Sequence, residues 1–465
     1  MSQSTNPNTA ALLELLAQKN YTAFIQGIDA LPPMDAAELF ASLPSDRLSI
    51  VFRMLKKDTA ASVFAELEAD AQQTLINAMT DRELSAVLDG LFMDDTVDLL
   101  EEMPAGVVSR IMKTATPAAR AEINRLLHYP EDSAGSIMTS ELIDLKQDMT
   151  CRQAVERIRR IGLDKETVYV AYVTDAARIL EGVVPLKSLL FADPNEPIRS
   201  IMNPNVVYAS TLDDREHVAN LISRYDILAL PIVDGERRLV GIVTVDDALD
   251  VLETEATEDM EKMAAILPSD KSYMRTGILE TWKKRIPWLL LLMVSATFTG
   301  AIITHYESAI GTYAVLTAFF PMLMDTGGNA GGQTSVTVIR GLSLDEIRLR
   351  DIWRVLRKEL FVGVLCGATL ALTAFTKAML IDFRLQPTTL LPGGGVQNNL
   401  LIALVLAATV FCAIPLAKLV GTLLPLGAKK IGLDPAVMAS PFITTIVDTV
   451  TLMIYFALAS AILGI

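Results

Sequence analysis

The stretch Val245-Asp246-Asp247-Ala248-Leu249-Asp250-Val251-Leu252-Glu253-Thr254-Glu255-Ala256-Thr257-Glu258-Asp259-Met260-Glu261 decides how this chain divides. Charged sequence precedes it and long apolar runs follow it. At about 100° per residue, Leu249, Leu252, Ala256, Met260 and Met263 fall on one stripe, while Asp246, Asp250, Glu253 and Glu261 gather on another side. The pattern predicts an amphipathic, strongly anionic connecting helix whose apolar stripe packs on protein. A charge run by itself reads as a solvated spacer, so its role depends on what flanks it.

The flanks differ in kind. Of 465 residues, 51% are apolar, too many for a wholly soluble chain and spread over too great a length for one domain. Residues 1–280 carry 46 Asp and Glu against 26 Lys and Arg, a net −20; residues 281–465 carry 9 against 14, a net +5. A soluble half at −20 is unsuited to nucleic acid or anionic lipid, which attract positive charge, and points to cations as partners. Cys151, Cys366 and Cys412 are too few and too scattered for a disulfide framework or a thiolate metal site. Residues 1–10 are polar and lack the basic and apolar regions of a secretory signal.

From residue 11 to 127 the chain reads as short helices, each opening with an Asp suited to capping. Examples are Asp46-Arg47-Leu48-Ser49-Ile50-Val51-Phe52 and Asp94-Asp95-Thr96-Val97-Asp98-Leu99-Leu100. A helical solenoid is expected over residues 1–130. Asp94 and Asp98, one helical turn apart, could present two carboxylates to one hydrated divalent ion.

Residues 131–250 contain a duplication. Ser136-Ile137-Met138-Thr139 recurs as Ser200-Ile201-Met202-Asn203, and Tyr172-Val173-Thr174-Asp175 recurs as Pro231-Ile232-Val233-Asp234, each copy reading helix, strand, turn, strand, helix. This resembles a tandem pair of CBS domains, an α+β Bateman module, and the resemblance implies adenine-nucleotide (ATP) binding. In the second copy Gly241-Ile242-Val243-Thr244-Val245-Asp246-Asp247 is similar to the family's ribose-binding pattern, with Asp246 at the acidic position. The first copy departs from it at Pro185-Leu186-Lys187-Ser188.

Beyond the connector at 251–280 lie five long apolar stretches, near 286–305, 309–338, 360–381, 400–424 and 436–463. Each is long enough to cross about 30 Å of hydrocarbon. Lys and Arg cluster before the first, between the second and third, and between the fourth and fifth. This predicts a cytoplasmic N-terminus and an outside C-terminus. Lys377 and Lys418 lie near enough to span ends to snorkel, and Gly363 with Gly367 forms a small-xxx-small pair for close helix packing.

Two acids interrupt the apolar runs: Asp325, opening Asp325-Thr326-Gly327-Gly328-Asn329-Ala330-Gly331-Gly332-Gln333, and Asp448, in Pro441-Phe442-Ile443-Thr444-Thr445-Ile446-Val447-Asp448. Acids at that depth usually face a watery path. The glycines are expected to bare the backbone and offer carbonyl oxygens beside Asn329. Oxygen donors without His or Cys suit a hard cation such as Mg²⁺.

With these motifs together, the chain resembles the MgtE family of Mg²⁺ channels along nearly its whole length. The resemblance implies a homodimer in the bacterial inner membrane with the ion path between subunits, Asp448, Asn329 and Asp325 lining it, and the acidic helix acting as a plug. It further implies cytosolic Mg²⁺ sites using Asp94, Asp98, Asp247, Asp250, Glu255, Glu258, Asp259 and Asp434, together with Glu216 and Asp226. Gly332 departs from the Asn often found there in the family.

Three rival readings fit parts of the same pattern. A carrier or exporter of Mn²⁺ or Co²⁺ coupled to another ion gradient is set against the absence of soft ligands. An aspartic protease is suggested by Asp325-Thr326-Gly327 but needs two carboxylates sharing a proton, and Asp448 lacks a matching motif. A nucleotide sensor on a passive anchor would not need five spans with two acids among them.

Overall fold

The computed structural model describes residues 7–269, 273, 276–344, 346–385, 398–438 and 440–464. Contacts divide it into two compact units, Met1–Leu252 and Glu253–Ile465. Residues 270–272, 274 and 275 of the expected connector lie outside the described residues.

The first unit begins with ten short helices: α1 (Pro7–Ala17), α2 (Tyr21–Ile28), α3 (Pro33–Ala41), α4 (Ser45–Phe52), α5 (Lys57–Ala65), α6 (Ala69–Ala78), α7 (Asp81–Leu88), α8 (Met93–Glu102), α9 (Ala105–Thr114) and α10 (Pro117–Leu126). Phe40, Phe52 and Phe64 recur every twelve residues and meet edge to face, with centroids 6.0 and 6.2 Å apart, so each turn of the solenoid buries an aromatic against the next. The expected Asp caps are displaced. Asp46, Asp58 and Asp94 stand in the first turns of α4, α5 and α8, behind Pro44, Lys56 and Phe92, and no side chain caps these helices. There they complement the helix dipole instead. Only α7 among the acid-opened helices has the reciprocal capping box, between Thr80 and Glu83.

The duplication then builds two copies of one unit. The first contains β1 (Asp144–Leu145), α11 (Cys151–Ile161), β2 (Val170–Thr174), β3 (Leu180–Pro185) and α12 (Leu186–Phe191); after α13 (Ile198–Ile201), the second contains β4 (Ala209–Ser210), α14 (Arg215–Tyr225), β5 (Ala229–Val233), β6 (Leu239–Thr244) and α15 (Val245–Met263). Each sheet has a short parallel strand beside an antiparallel hairpin. The repeated tetrapeptides are exchanged between copies. Thr139 pairs with Ile242 through two 2.9 Å bonds, and Asn203 pairs with Val183. A Cβ at Gly241 would stand 2.7 Å from Met138 Sδ and 2.8 Å from Thr139 O, a backbone atom that cannot swing aside, so glycine is required there; one at Gly182 would stand 2.8 Å from Met202 Sδ, where the flexible methionine would have to shift.

The acidic stretch is the final helix of the second copy, not a separate element. Its buried residues are Ala248 and Val251, with Leu252 half-buried beside them, whereas Leu249 and Met260 are 60% and 66% exposed. The expected stripe of Leu249, Leu252, Met260 and Met263 is therefore corrected: only Leu252 and Met263 pack on apolar residues.

The second unit contains α16 (Ile278–His305), α17 (Glu307–Thr312), α18 (Phe320–Ser343), α19 (Ile352–Lys377), α20 (Phe383–Leu385), α21 (Asn399–Lys430) and α22 (Ser440–Leu463). Among the described residues, four segments, Ile278–His305, Leu349–Asp382, Asn399–Lys430 and Pro435–Leu463, are long and apolar enough to cross a membrane. The second expected span, near 309–338, is broken into α17, a 3₁₀ turn at Ala314–Phe319 and α18, whose Asp325, Asn329, Gln333 and glycines lower its hydropathy. α18 is nevertheless central, with Leu323, Ala330 and Val338 buried. The small pair packs as expected, within the chain: a Cβ at Gly363 would lie 2.8 Å from Pro415 Cα and one at Gly367 3.1 Å from Phe411 O, on α21.

Candidate functional site

In the first unit the start of α8 and the start of α15 bring acids together. Asp94 and Asp95 occupy the first turn of α8, Asp246 and Asp247 that of α15, and Glu141 and Glu166 come from the loops after the first repeated tetrapeptide and after α11. One oxygen each from Asp94, Glu141 and Glu166 lies within 4.8 Å of the other two. Glu141 Oε2 accepts a bond from Met93 N at 3.1 Å, but Asp94 Oδ1 and Glu166 Oε2 are buried with no hydrogen-bond partner.

The cost appears in the acidities. Burial, then the charges of Asp247, Glu166 and Asp95, push the Asp94 carboxyl up to about 9. Burial followed by the field of Asp247 pushes Glu166 to about 7, and desolvation followed by Glu101 and Asp247 pushes Asp98 to about 7. Asp247 rises to about 6 because burial outweighs its bonds from Thr244. Orphaned oxygens of one charge at this spacing can share a proton or surround a hard cation, which takes oxygen ligands at about 2.0–2.6 Å.

Asp247 thus acts on both Asp94 and Asp98, and the group around Asp94 is completed not by Asp98 but by Glu141 and Glu166, which, like Asp95, the sequence does not single out. Glu141 directly follows Ser136-Ile137-Met138-Thr139 apart from Ser140, the one signal that could have flagged it; Glu166 carries none. Glu216 and Asp226 open and close α14, about 15 Å apart at 1.5 Å per residue, and share no site with each other. Asp250 is exposed on α15. Asp246 is also exposed, and its charge acts on Asp95, Glu166 and Asp247. It is not among the residues lining the cleft between the two hairpins. That cleft, about 640 Å³, has Tyr169, Lys187, Asn203, Asn205, Tyr225 and Asp226 in its wall, Asp226 at a left-handed φ of 51°.

In the second unit the far end of α15 forms another cluster. Lys262 Nζ donates to Asp434 Oδ2 at 2.7 Å and pairs with Glu258, while Asp259 accepts from Ser343 Oγ at 3.1 Å. Glu258, Asp259 and Asp434 are brought together; Glu255 lies one turn earlier, half-buried.

Along α18 the glycines do something other than expected. The helix is continuous, so its carbonyls serve its own ladder. Gly327 and Gly328 lie against Thr451 and Thr444 of α22, and a Cβ at Gly421 of α21 would fall 2.3 Å from Gly331 O. The glycines sink α18 into its neighbours, and the opposite face, Asp325, Asn329 and Gln333 at four-residue spacing, is left exposed. Asn329 Nδ2 donates to Asp325 Oδ1 at 3.1 Å, and Asp325 is the charged group acting on Asp448 of α22. Asp448 Oδ1 is buried without a hydrogen-bond partner. Lys418 does not snorkel: it is 6% exposed, 3.6 Å from Glu359 of α19, with Thr334 of α18 bonded to both. Lys377 pairs with Asp382 at 2.9 Å.

Three comparisons bear on these sites. Residues 31–132 match the family profile described as the MgtE intracellular N domain, residues 198–254 the CBS domain, and residues 320–458 MgtE, divalent cation transporter. The chain is 36% identical over 457 residues to "Magnesium transporter MgtE" of Thermus thermophilus, covering 97% of this chain and 98% of that one. It is 31% identical to the protein of the same name in Bacillus subtilis, covering 97% and 96%. A crystal structure of the cytosolic domain of the Mg²⁺ channel MgtE in complex with ATP superposes with a TM-score of 0.50 at 37% identity, over 52% of this chain and 99% of that one. The soluble part of a magnesium transporter does so with 0.52 at 30%, over 54% and 100%.

Proposed function

Because the chain belongs to the MgtE family of magnesium transporters, we propose that it is a homodimeric Mg²⁺ channel of the bacterial inner membrane that closes when cytosolic Mg²⁺ is high. One observation carries the conduction reading. A membrane helix buries its glycine face and exposes Asp325, Asn329 and Gln333 beside the orphaned Asp448. A polar stripe exposed to hydrocarbon would cost at least a few kcal/mol. Facing the same stripe of a second copy across water, it forms a path of oxygen donors. Mg²⁺ dehydrates reluctantly, so the cargo passes with water still bound, and paired Asp448 side chains receive the hydrated ion.

The closing reading rests on charge. Asp94, Glu141, Glu166 and Asp247 repel one another in the first unit, as do Glu258, Asp259 and Asp434 in the second. Mg²⁺ among the first set turns repulsion into attraction; at the second set, where Lys262 already supplies positive charge to Glu258 and Asp434, the ion adds to a balance already made, in the arrangement where both ends of α15 are held. The ion biases the gate by its preference for that arrangement, and several weak sites add to the several kcal/mol a clean switch needs. Asp98, Glu216, Asp226 and Asp250 of the first unit and Glu255 of the second are read as auxiliary ligands.

The cleft between the hairpins is assigned to an adenine nucleotide. Tyr169 and Tyr225 offer faces for the base and Lys187 a charge for phosphate, and a similar cytosolic domain was crystallised with ATP. The N-terminus is assigned to the cytosol and the C-terminus to the outside. Flux into liposomes without an imposed proton or Na⁺ gradient, comparing Mg²⁺, Ca²⁺, Mn²⁺ and Co²⁺, tests conduction. Uptake that appears only with such a gradient would make the protein a coupled carrier. Patch recordings at varied internal Mg²⁺ test closure, and currents indifferent to it sink that part.

A further inference from the structure

Two carboxylates from two stretches of the second unit converge on a single ammonium, and a third, Asp259, lies within its field. Lys262 Nζ lies 2.7 Å from Asp434 Oδ2 and also pairs with Glu258, one turn back on the same helix. Asp259 feels the repulsion of Asp434 and Glu258 and the attraction of Lys262, and its remaining anchor is Ser343 Oγ. Asp434 is itself oriented by Ala436 N at 2.8 Å. The next residue, Met263, rests on Ile339 and Ala436. The end of α15 is thus seated on a small apolar contact, with three negative charges around one positive charge. The Lys262 and Glu258 side chains are 23% and 26% exposed, so water screens them only in part.

An ammonium and a divalent cation answer the same need at such a place. Each supplies positive charge to several oxygens, and the Lys Nζ brings three donors on a flexible stem. Lys262 differs in being tethered, so its effective concentration does not depend on the cytosol. We propose that Lys262 is a built-in substitute for the divalent cation, holding the end of α15 on the Asp434 loop when no ion is bound. This rests on reading Glu258, Asp259 and Asp434 as a cation site. In consequence the docking of this end is nearly independent of Mg²⁺, and the Mg²⁺ dependence of α15 resides in the carboxylates at its other end. Replacing Lys262 by an uncharged residue transfers that dependence to this end as well.

The test places a nitroxide at Met260→Cys, which is exposed, in full-length protein in lipid nanodiscs with Cys151, Cys366 and Cys412 replaced by alanine. Its mobility is read in EDTA and in millimolar Mg²⁺. The unsubstituted Lys262 protein and Lys262→Arg are expected to give an immobilised label in both conditions. Lys262→Met is expected to lose immobilisation in EDTA and recover it with Mg²⁺, a recovery that also shows the variant is folded. A mobile label in EDTA with Lys262 present overturns the proposal. So does an immobile one in Lys262→Met, or mobility there that Mg²⁺ does not reverse. Recordings on the same proteins separate the two ideas: currents that ignore internal Mg²⁺ while the label behaves as expected fail the closing reading alone.

Discussion

Lys418 Nζ stands 3.6 Å from Glu359 Oε2 within the apolar second unit, and the Thr334 hydroxyl is bonded to both. This pair joins α21, α19 and α18 at the depth where the glycine face of α18 is buried. It places a fixed polar anchor behind the helix whose other face carries Asp325 and Asn329.

Breaking that anchor from one side leaves an uncompensated buried charge. Lys418→Met or Glu359→Gln alone is expected to destabilise the protein by about 3–5 kcal/mol, and the double replacement by much less than the sum. Thermal unfolding in detergent of the four proteins checks this. Additive losses would mean that the two groups do not depend on each other.

Gly421→Ala introduces a Cβ 2.3 Å from Gly331 O, a backbone atom that cannot swing aside. Forcing α18 from α21 should cost about 1–3 kcal/mol and lower Mg²⁺ flux, because it displaces the polar stripe. Gly427→Ala, where no atom lies within 4 Å, serves as the control and should leave both unchanged.

Asp448→Ala removes the buried orphaned carboxylate and is expected to reduce liposomal Mg²⁺ flux at least tenfold while the protein remains folded, relieved of a desolvation cost of about 1–3 kcal/mol. Flux at the parent level in that variant would move the ion's site elsewhere on the path.

The acidic cluster of the first unit gives stability a pH dependence of defined sign. Asp94, Glu166, Asp98 and Asp247 titrate at about 9, 7, 7 and 6, against about 4 for ordinary carboxyls. Between those limits the folded unit binds more protons than the unfolded chain. Their contribution is therefore fully present below about pH 4 and is lost as pH rises toward 9. In EDTA the Tm is expected to fall from about pH 4 to about pH 9, most steeply between roughly 4 and 6, where all four groups hold a proton only in the folded unit. Mg²⁺ should flatten the fall, and its binding at neutral pH should release protons measurable by calorimetry in buffers of different ionisation enthalpy.

Asp94→Asn should raise stability in EDTA at neutral pH by about 1–3 kcal/mol, since a neutral amide needs no proton on burial whereas the Asp94 carboxyl must take one up, and should reduce the stabilisation Mg²⁺ confers. An Asn variant that Mg²⁺ stabilises as fully as the parent would exclude Asp94 as a ligand.

Much of the organisation was legible in order along the chain. The repeated tetrapeptides announced two copies, the run from Val245 to Glu261 marked where the soluble half meets the apolar half, and Asp325, Asn329 and Asp448 stood out as polar residues in apolar surroundings. Such features are local, because periodicity, hydropathy and charge density are properties of neighbouring residues. The misreadings fell where contacts between distant residues decide. The helix-opening acids proved to be first-turn residues because Pro44, Lys56 and Phe92 occupy the cap positions. Leu249 and Met260 looked like packing residues because a helical wheel shows a stripe but not what lies against it.

The sequence by itself determined the family, the division into an anionic half and an apolar half, the duplication and the choice of oxygen over sulfur donors. Only the tertiary structure decided that Glu141 and Glu166 join Asp94, that Lys418 is buried against Glu359, that Lys262 sits among Glu258 and Asp434, and that the glycines of α18 serve packing. The reason is physical: a carboxylate's partners are fixed by closure of the chain over tens or hundreds of residues, and no spacing in the sequence records which distant charge will arrive.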